Sequence, residues 1–412
     1  MANAPTIGHS IPRWKSSRPT IQETLQRQTY EIMRTIDFFD SRPCFINLVV
    51  LVSWVSLFTV QTNSQILCEE PRLDIHVHLF GDGDSSSGCR LARAITESPS
   101  FQVLAKMLRL RERAKTLDES YVLALAEQLQ QSGLQKGLIL AQDAVYDRSG
   151  EPDWAKTPFY VPNDYLFQVV ARYPQWMIPC VSINPDRKDA VAELERCVGQ
   201  GARVLKIHPP IQGVDLAAKK HTRFFQRCAA LKTVVLVHTG HEHSAPIIDV
   251  GLAHPRKLEL ALDQGCTVVA CHCGTGRTDD RPDMLPDFLA MTRRHQNLWG
   301  DTSILGGIGR SRDFLRLLAD QPACERLLHG SDFPFPAVPL DFAGTIGTAE
   351  ALRLQALPNL IQQDFALKEA LGVGRASAER AYRLVMHSDF WQTSPVGQEC
   401  TRTSGVTNQP TP

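Results

Sequence analysis

The sequence predicts a (β/α)8 barrel, and three observations lead there. Beyond residue 70, short apolar runs rich in β-branched residues alternate with amphipathic stretches, the pattern of a parallel sheet joined by helical crossovers. Ionisable residues stand at the ends of several of those runs, and in a barrel such ends meet on one face. The 412 residues are enough for one large barrel of about 250 residues or more with appendages.

The first predicted strand, 73–78, lies in Arg-Leu-Asp-Ile-His-Val-His-Leu. Side chains alternate along a strand, so His76 and His78 share a face about 7 Å apart, with Asp74 expected below them on that face. Two imidazoles so placed can converge on one metal ion. The remaining strands are read at 137–141, 177–183, 202–208, 233–238, 267–272, 298–301 and 326–331. Amphipathic helices are read at 164–172, 188–198, 217–231, 255–264 and 311–319.

The first connection, 79–136, is long. It opens with GDGDSSSG and continues as helical text from 89 to 131, so a helical insertion after strand 1 is expected to roof the catalytic face. The loop superficially resembles a calcium loop, but Ser87 and Arg93 occupy the places of the required Gly and distal Glu. Residues 346–392 read as C-terminal helices packed on the barrel, and 393–412 as a polar, disordered tail.

Composition narrows the function. Forty-four basic side chains balance 44 acidic ones, which leaves no electrostatic footprint for nucleic acid. Eleven cysteines, an odd number without a CxxC pair, read as reduced and mostly buried thiols rather than a disulfide framework. After an N-terminal extension, 1–42, residues 43–67 carry no formal charge. Two readings of this apolar segment stay open: a membrane anchor preceded by basic residues, or an element packing on the barrel. Localisation is accordingly cytoplasmic or membrane-anchored. The barrel with its C-terminal helices is placed at 71–392, and a homodimer is compatible with the sequence.

The chemistry gathers at strand ends. His76 and His78 close the first strand, His238 closes the fifth in VVLVHTG, His272 the sixth in VVACHCG, and Asp332 follows the eighth in LLHGSDFP. Neutral imidazoles with one carboxylate suit Zn²⁺, with Mn²⁺ or Fe²⁺ as alternatives, and an open coordination position would hold a water.

In these phrases, together with LKIHP at the fourth strand, the chain resembles the amidohydrolase superfamily over about residues 71 to 340. The branch it resembles is that of aminocarboxymuconate semialdehyde decarboxylase and its relatives. The resemblance implies one divalent ion held by His76, His78 and His238, with Asp332 as ligand or proton shuttle and His272 as the acid/base group. Some amidohydrolases bridge two metals through a carboxylated lysine at the fourth strand, near Lys206. The resembled branch generally has a lysine there without a bridge, so one metal is expected.

Other residues are candidates for substrate or for support of the ligands. His208 shares the face of Lys206, or is a loop-start histidine held by Pro209 and Pro210. Glu242 follows the HTG turn and is read as substrate-facing or solvated. Arg277 could take a substrate carboxylate in bidentate fashion, or lie at the surface. Asp301 and Ser303 could hydrogen-bond a ligand, as metal-bound histidines usually require. Alternation points Cys271 and Cys273 away from the face of His272.

The expected function is metal-dependent hydrolysis of an amide, ester or lactone bond in a small molecule by a metal-activated water. Non-oxidative decarboxylation of an aromatic or unsaturated carboxylic acid is the alternative on the same residues. A degenerate binding module is the alternative from another class.

Overall fold

A computed structural model describes residues 70–277 and 281–387. The apolar segment 43–67 and the tail 393–412 lie outside the described residues. Among the described residues no helix is long and apolar enough to cross a membrane.

Eight parallel strands follow one another in chain order: β1 (Leu73–His78), β2 (Lys136–Leu140), β3 (Met177–Ser182), β4 (Val204–Ile207), β5 (Val234–His238), β6 (Thr267–Cys271), β7 (Leu298–Asp301) and β8 (Leu327–Leu328). The segment after β8 closes the ring. Ile75 N donates to His329 O at 2.9 Å, Asp332 N to His76 O at 2.9 Å and His78 N to Phe333 O at 2.8 Å. This is the predicted (β/α)8 barrel, also called a TIM barrel.

The helices used below are, in chain order, α1 (Pro99–Met107), α2 (Leu117–Gln130), α3 (Asn163–Arg172), α4 (Ala190–Gly199), α5 (Thr222–Ala230), α6 (Glu259–Asp263), α7 (Leu285–Arg294), α8 (Ser311–Leu318), α9 (Leu360–Ala370) and α10 (Gly374–Met386), with shorter helical turns and the helix Thr348–Gln355 between them. Of these, α7 lies outside the amphipathic stretches read from the sequence. The β-branched strand residues suit a pleated surface packed on both sides. One core lies between strands and helices, and contains Val77, Ile139, Val235 and Val268. A smaller one fills the barrel with Leu73, Ile75, Leu140, Leu236, Val269 and Trp299, and α10 adds Ala381, Leu384 and Val385 to it.

The strand-1 insertion is a helical segment tied down at both ends. Thr116 caps α2 by accepting from Glu119 N, and Tyr121 in α2 donates its hydroxyl to His78 O at 2.7 Å. The carboxylate of Asp118 accepts from Asp82 N, Gly83 N and the hydroxyls of Ser85 and Ser87. The GDGDSSSG loop is thus organised by hydrogen bonds of its own. Arg90–Leu91 pairs antiparallel with Phe159–Tyr160, which joins the insertion to the loop after β2.

Two details of the barrel depart from simple alternation and shape the site. In β1, Asp74 pairs with Gly137 while Val77 pairs with Ile139, so two residues oppose one and the strand bulges. The bulge reverses the faces. Leu73 and Ile75 point into the barrel, and His76 and His78 turn inward after them. Asp74 therefore does not share the histidine face, contrary to expectation. It accepts from His76 N at 3.0 Å and Ser331 N at 2.9 Å, fastening the two segments that end in His76 and Asp332.

The second departure is at β6, which ends at Cys271 rather than at His272. His272, Cys273 and Gly274 all have positive φ (61°, 54° and 71°), a conformation that costs the two non-glycine residues energy. Cys271 consequently faces the barrel interior and meets Lys206, which corrects the expectation from alternation. Cys273 lies in the outer core.

Candidate active site

The C-terminal strand ends bring together His76, His78, Lys206, His208, His238, His272 and Asp332, all buried except the slightly exposed His78. His76 is held from behind: its Nδ1 donates to Asp301 Oδ2 at 2.8 Å, which leaves the lone pair on Nε2. That Nε2 lies 3.2 Å from His78 Nε2 and 3.1 Å from Asp332 Oδ1, and His78 Nε2 lies 3.2 Å from the same oxygen. Asp332, like His272, has positive φ (66°), which swings its carboxylate back toward β1.

His272 is fixed by β7. Its backbone N–H donates to Asp301 Oδ1 at 2.9 Å. Its Nδ1 is 3.1 Å from Ser303 O and 2.8 Å from Ser303 Oγ. Donation to the carbonyl leaves Nε2 as the lone-pair nitrogen, 3.1 Å from His238 Nδ1. His76, His272 and Asp332 offer ligand atoms that all lie within 4.8 Å of one another, and a second such group comprises His208, His238 and Glu242. Of the four residues expected as ligands, His76, His78 and Asp332 meet directly, whereas His238 is grouped with His208 and Glu242, and His272 stands between His76 and His238 (ring centroids 5.1 and 4.7 Å).

The other candidates divide. Lys206 is fully buried, with Nζ 3.1 Å from His76 Nε2. His208 stacks on His238 (centroids 4.2 Å) and pairs with Glu242 Oε2 at 3.0 Å. Glu242 is therefore part of the buried cluster and not a solvated loop residue. Arg277 is exposed and makes no hydrogen bond among the described residues.

Sequence reasoning places Gln142 at the start of the second-strand loop that should line the substrate pocket, and it passed over Arg310. Both amide atoms of Gln142, just beyond β2, are buried without a partner. Arg310, at the start of α8, is half-buried and has no partner for Nη1. Gln142 follows a barrel strand directly, whereas Arg310 stands at the start of α8, away from any strand end, and no local signal marks it.

Electrostatics favour neutral rings and ionised carboxylates. Burial lowers the His76 pKa to about 3 and that of His208 to about 4, and pushes His238 and His272 down as well. Burial opposes ionisation of Asp332, but His76, His272 and His78 around it hold the carboxyl well below the usual range. Glu242 is likewise kept low, against burial, by its hydrogen bond from His208 and by His238.

These donors fit a divalent cation. The Nε2 atoms of His76 and His78 lie against an oxygen of Asp332 that accepts no hydrogen bond, and His238 Nε2 is buried without a partner. Buried polar atoms are normally satisfied, and unpartnered nitrogen and carboxylate oxygen donors gathered in one place suit a divalent ion.

A (β/α)8 barrel with histidines and an aspartate converging at its C-terminal face defines an enzyme-type scaffold. The chain belongs to the amidohydrolase family, whose model, described as "Amidohydrolase", matches residues 73–383. No curated protein sequence matches this chain. Among solved structures it is similar to an uncharacterised TIM-barrel protein from Bordetella bronchiseptica, at 16% identity and TM-score 0.51, over 76% of this chain and 99% of that one. A probable 2-pyrone-4,6-dicarboxylic acid hydrolase from Acinetobacter baumannii aligns at 15% identity and TM-score 0.43, over 77% and 97%. A dihydroxybenzoic acid decarboxylase from a Polaromonas species, with bound manganese and 2-nitroresorcinol, aligns at 15% and 0.44, over 76% and 97%. The likeness to the first of these, at 16% identity, is one of fold.

Proposed function

We propose that this chain is a metal-dependent hydrolase that cleaves an amide, ester or lactone bond of a small molecule, with water as the nucleophile. The observation that supports it most is the pairing of a cation-shaped donor set with a neutral, oriented base. Asp332 Oδ1 faces His76 and His78 Nε2, while His272 keeps its lone pair toward the site. His76, His78, His238 and Asp332 would hold one divalent ion, zinc by the chemistry of the donors, with manganese or iron as alternatives. When bound, the ion polarises the substrate carbonyl and makes water more acidic.

The chain's own residues do the rest. Asp301 fixes the His76 tautomer, so the ring presents a lone pair and not an N–H. Ser303 does the same for His272, whose Nε2 can accept the proton that water releases. Asp332, ionised and beside both β1 histidines, can relay that proton to the leaving group. The low pKa of His272 keeps it unprotonated at neutral pH, ready to act as a base.

The test pairs metal analysis with a substrate panel. The purified protein should carry about one ion per chain, lose it in His76→Ala/His238→Ala, and hydrolyse members of a lactone, ester and amide panel. His272→Ala should keep the ion and lose turnover. A folded protein that takes up no metal would overturn the reading. Carbon dioxide release from aromatic or unsaturated acids without hydrolysis would replace it by the decarboxylation alternative.

A further inference from the structure

We infer that Gln142 and His208 form a hydrogen-bonding subsite for an uncharged amide edge of the substrate, an N–H beside a C=O, on the β2–β4 side of the site. The inference rests on the hydrolase reading above and adds the substrate class: lactams, carboxamides and related neutral amides.

Strand alternation places both side chains. Along β2, Leu138 and Leu140 belong to the core inside the barrel, while Ile139 and Ala141 belong to the outer one. The backbone stays extended past the strand, since Gln142 N donates to Val161 O at 3.3 Å and Val161 N to Gln142 O at 2.8 Å. Gln142 therefore falls on the inward face above Leu140. In β4, Val204 lies inside and Leu205 and Ile207 outside, and Lys206 Nζ reaches His76 Nε2 at 3.1 Å. His208 follows on the same face, and its stacking on His238 (ring centroids 4.2 Å) puts it in the site.

The frame behind the two residues is laced together. The side-chain amide of Gln212 accepts from His208 N at 2.7 Å and donates to Ser182 Oγ at 3.1 Å and Asp143 O at 3.4 Å. Ser182 Oγ in turn accepts from Asp143 N at 3.0 Å and donates to Lys206 O at 2.9 Å. One side chain thus links His208 to the residue that follows Gln142, and the ends of β2, β3 and β4 are fixed to one another.

Against this satisfied frame, the inward atoms have no partner among the described residues. Gln142 is 1% exposed with neither Oε1 nor Nε2 hydrogen-bonded, and His208 is 5% exposed with Nδ1 unpaired. Buried polar atoms are normally paired, so atoms held unpaired on a rigid wall are suited to pair with what binds there. Their chemistry defines the partner. Glu242 Oε2 accepts from His208 Nε2 at 3.0 Å, and its Oε1 accepts from Ser244 N and Oγ, both at 2.5 Å. With the proton on Nε2, His208 Nδ1 carries a lone pair and is an acceptor. Gln142 adds one acceptor and two donors, and no charge. A carboxylate has no N–H to give to these acceptors, whereas an amide edge supplies an N–H and an acceptor side by side.

Binding without turnover tests this separately from the hydrolase reading. 2-Piperidone and glutarimide, with their N-methyl derivatives as counterparts lacking the N–H, would be titrated by ligand-observed NMR into wild type, Gln142→Met and His208→Phe. Wild type should bind at least one N–H compound at least tenfold more tightly than its N-methyl derivative. Gln142→Met should weaken that compound at least tenfold and change the N-methyl derivative less than twofold. His208→Phe, which keeps a ring stacked on His238, should weaken the N–H compound as well. Gln142→Met gives up no hydrogen bond within the protein, so without ligand it should melt at or above the wild-type temperature. A clear fall in that temperature, equal affinity of wild type and Gln142→Met for the N–H compounds, or no preference of the wild type for the N–H would overturn the inference. A wild type that binds the N–H compounds but hydrolyses nothing would instead count against the hydrolase reading alone.

Discussion

Asp301 Oδ2 and His76 Nδ1, 225 residues apart in the chain, meet at 2.8 Å and fix which nitrogen of His76 faces the site. The same carboxylate, through Oδ1, accepts from the backbone N–H of His272 and from the Ser303 N–H and hydroxyl. One aspartate thus orients both a ligand-type ring and the proposed base. Asp301→Asn keeps the shape but loses the charge and offers an N–H where an acceptor is needed. Metal affinity should fall by about 10–100-fold, read by competitive titration with a chromogenic chelator. Unchanged affinity would remove Asp301 from the support of the site.

Gly330 lies where β8 runs against β1. A Cβ there would stand 2.8 Å from His76 Cβ and 3.2 Å from Ser303 Cβ. Neither neighbour can swing away, since these are the stiff inner ends of buried side chains. Gly330→Ala should destabilise the fold by about 1–3 kcal/mol, typical of overpacking, and displace His76. Denaturant melts and metal content check the two effects together.

Beneath the site, Lys368 Nζ donates to Gly330 O at 2.6 Å and pairs with Asp364 Oδ2 at 2.5 Å, both side chains buried. Lys368→Met leaves the Asp364 carboxyl and the Gly330 carbonyl without their donor and should cost about 1–3 kcal/mol at neutral pH. Burial raises the Asp364 pKa to about 7, chiefly against the pull of Lys368. Without the lysine the carboxyl holds its proton to higher pH, so the cost should grow as pH rises above 7, where the wild-type carboxyl ionises and the variant's does not. A pH-independent difference between wild type and variant in urea melts would contradict this.

Acid stability follows from the buried histidines. His76, His208 and His329 are all lowered, the first two to about 3 and 4, and burial is the main cause for each. Unfolded histidines take up protons near pH 6.5 while these stay neutral in the fold. Their contribution is therefore complete above pH 6.5 and is lost progressively as pH falls toward 4 and below. Metal-free protein should show a falling melting temperature across that window. His329→Phe, which keeps the packing on Phe365, should flatten part of it.

Much of this molecule was legible beforehand because apolar runs and their spacing are local. All eight strands lie within a few residues of their expected places, since each needs only β-branched residues bounded by turn formers. The order of the strand-end histidines and Asp332 along the chain identified the residues that the barrel brings together. The short β8 is the weakest match: only Leu327–Leu328 pairs with β7, because the chain then turns across β1 to deliver Asp332.

What the sequence by itself determined is the alternation that makes a barrel and the chemical types at the strand ends. Tertiary structure alone decided how those groups face one another. Alternation predicts Asp74 beside the histidines and His272 on its strand's face, but a bulge in β1 and a left-handed turn after β6 overrule it. Both distortions depend on contacts with distant segments, such as Ser331 N on Asp74 and Asp301 on His272 N. The unpartnered state of Gln142 is of the same kind. An amide is known from one residue, but whether anything pairs with it depends on every loop folded around it.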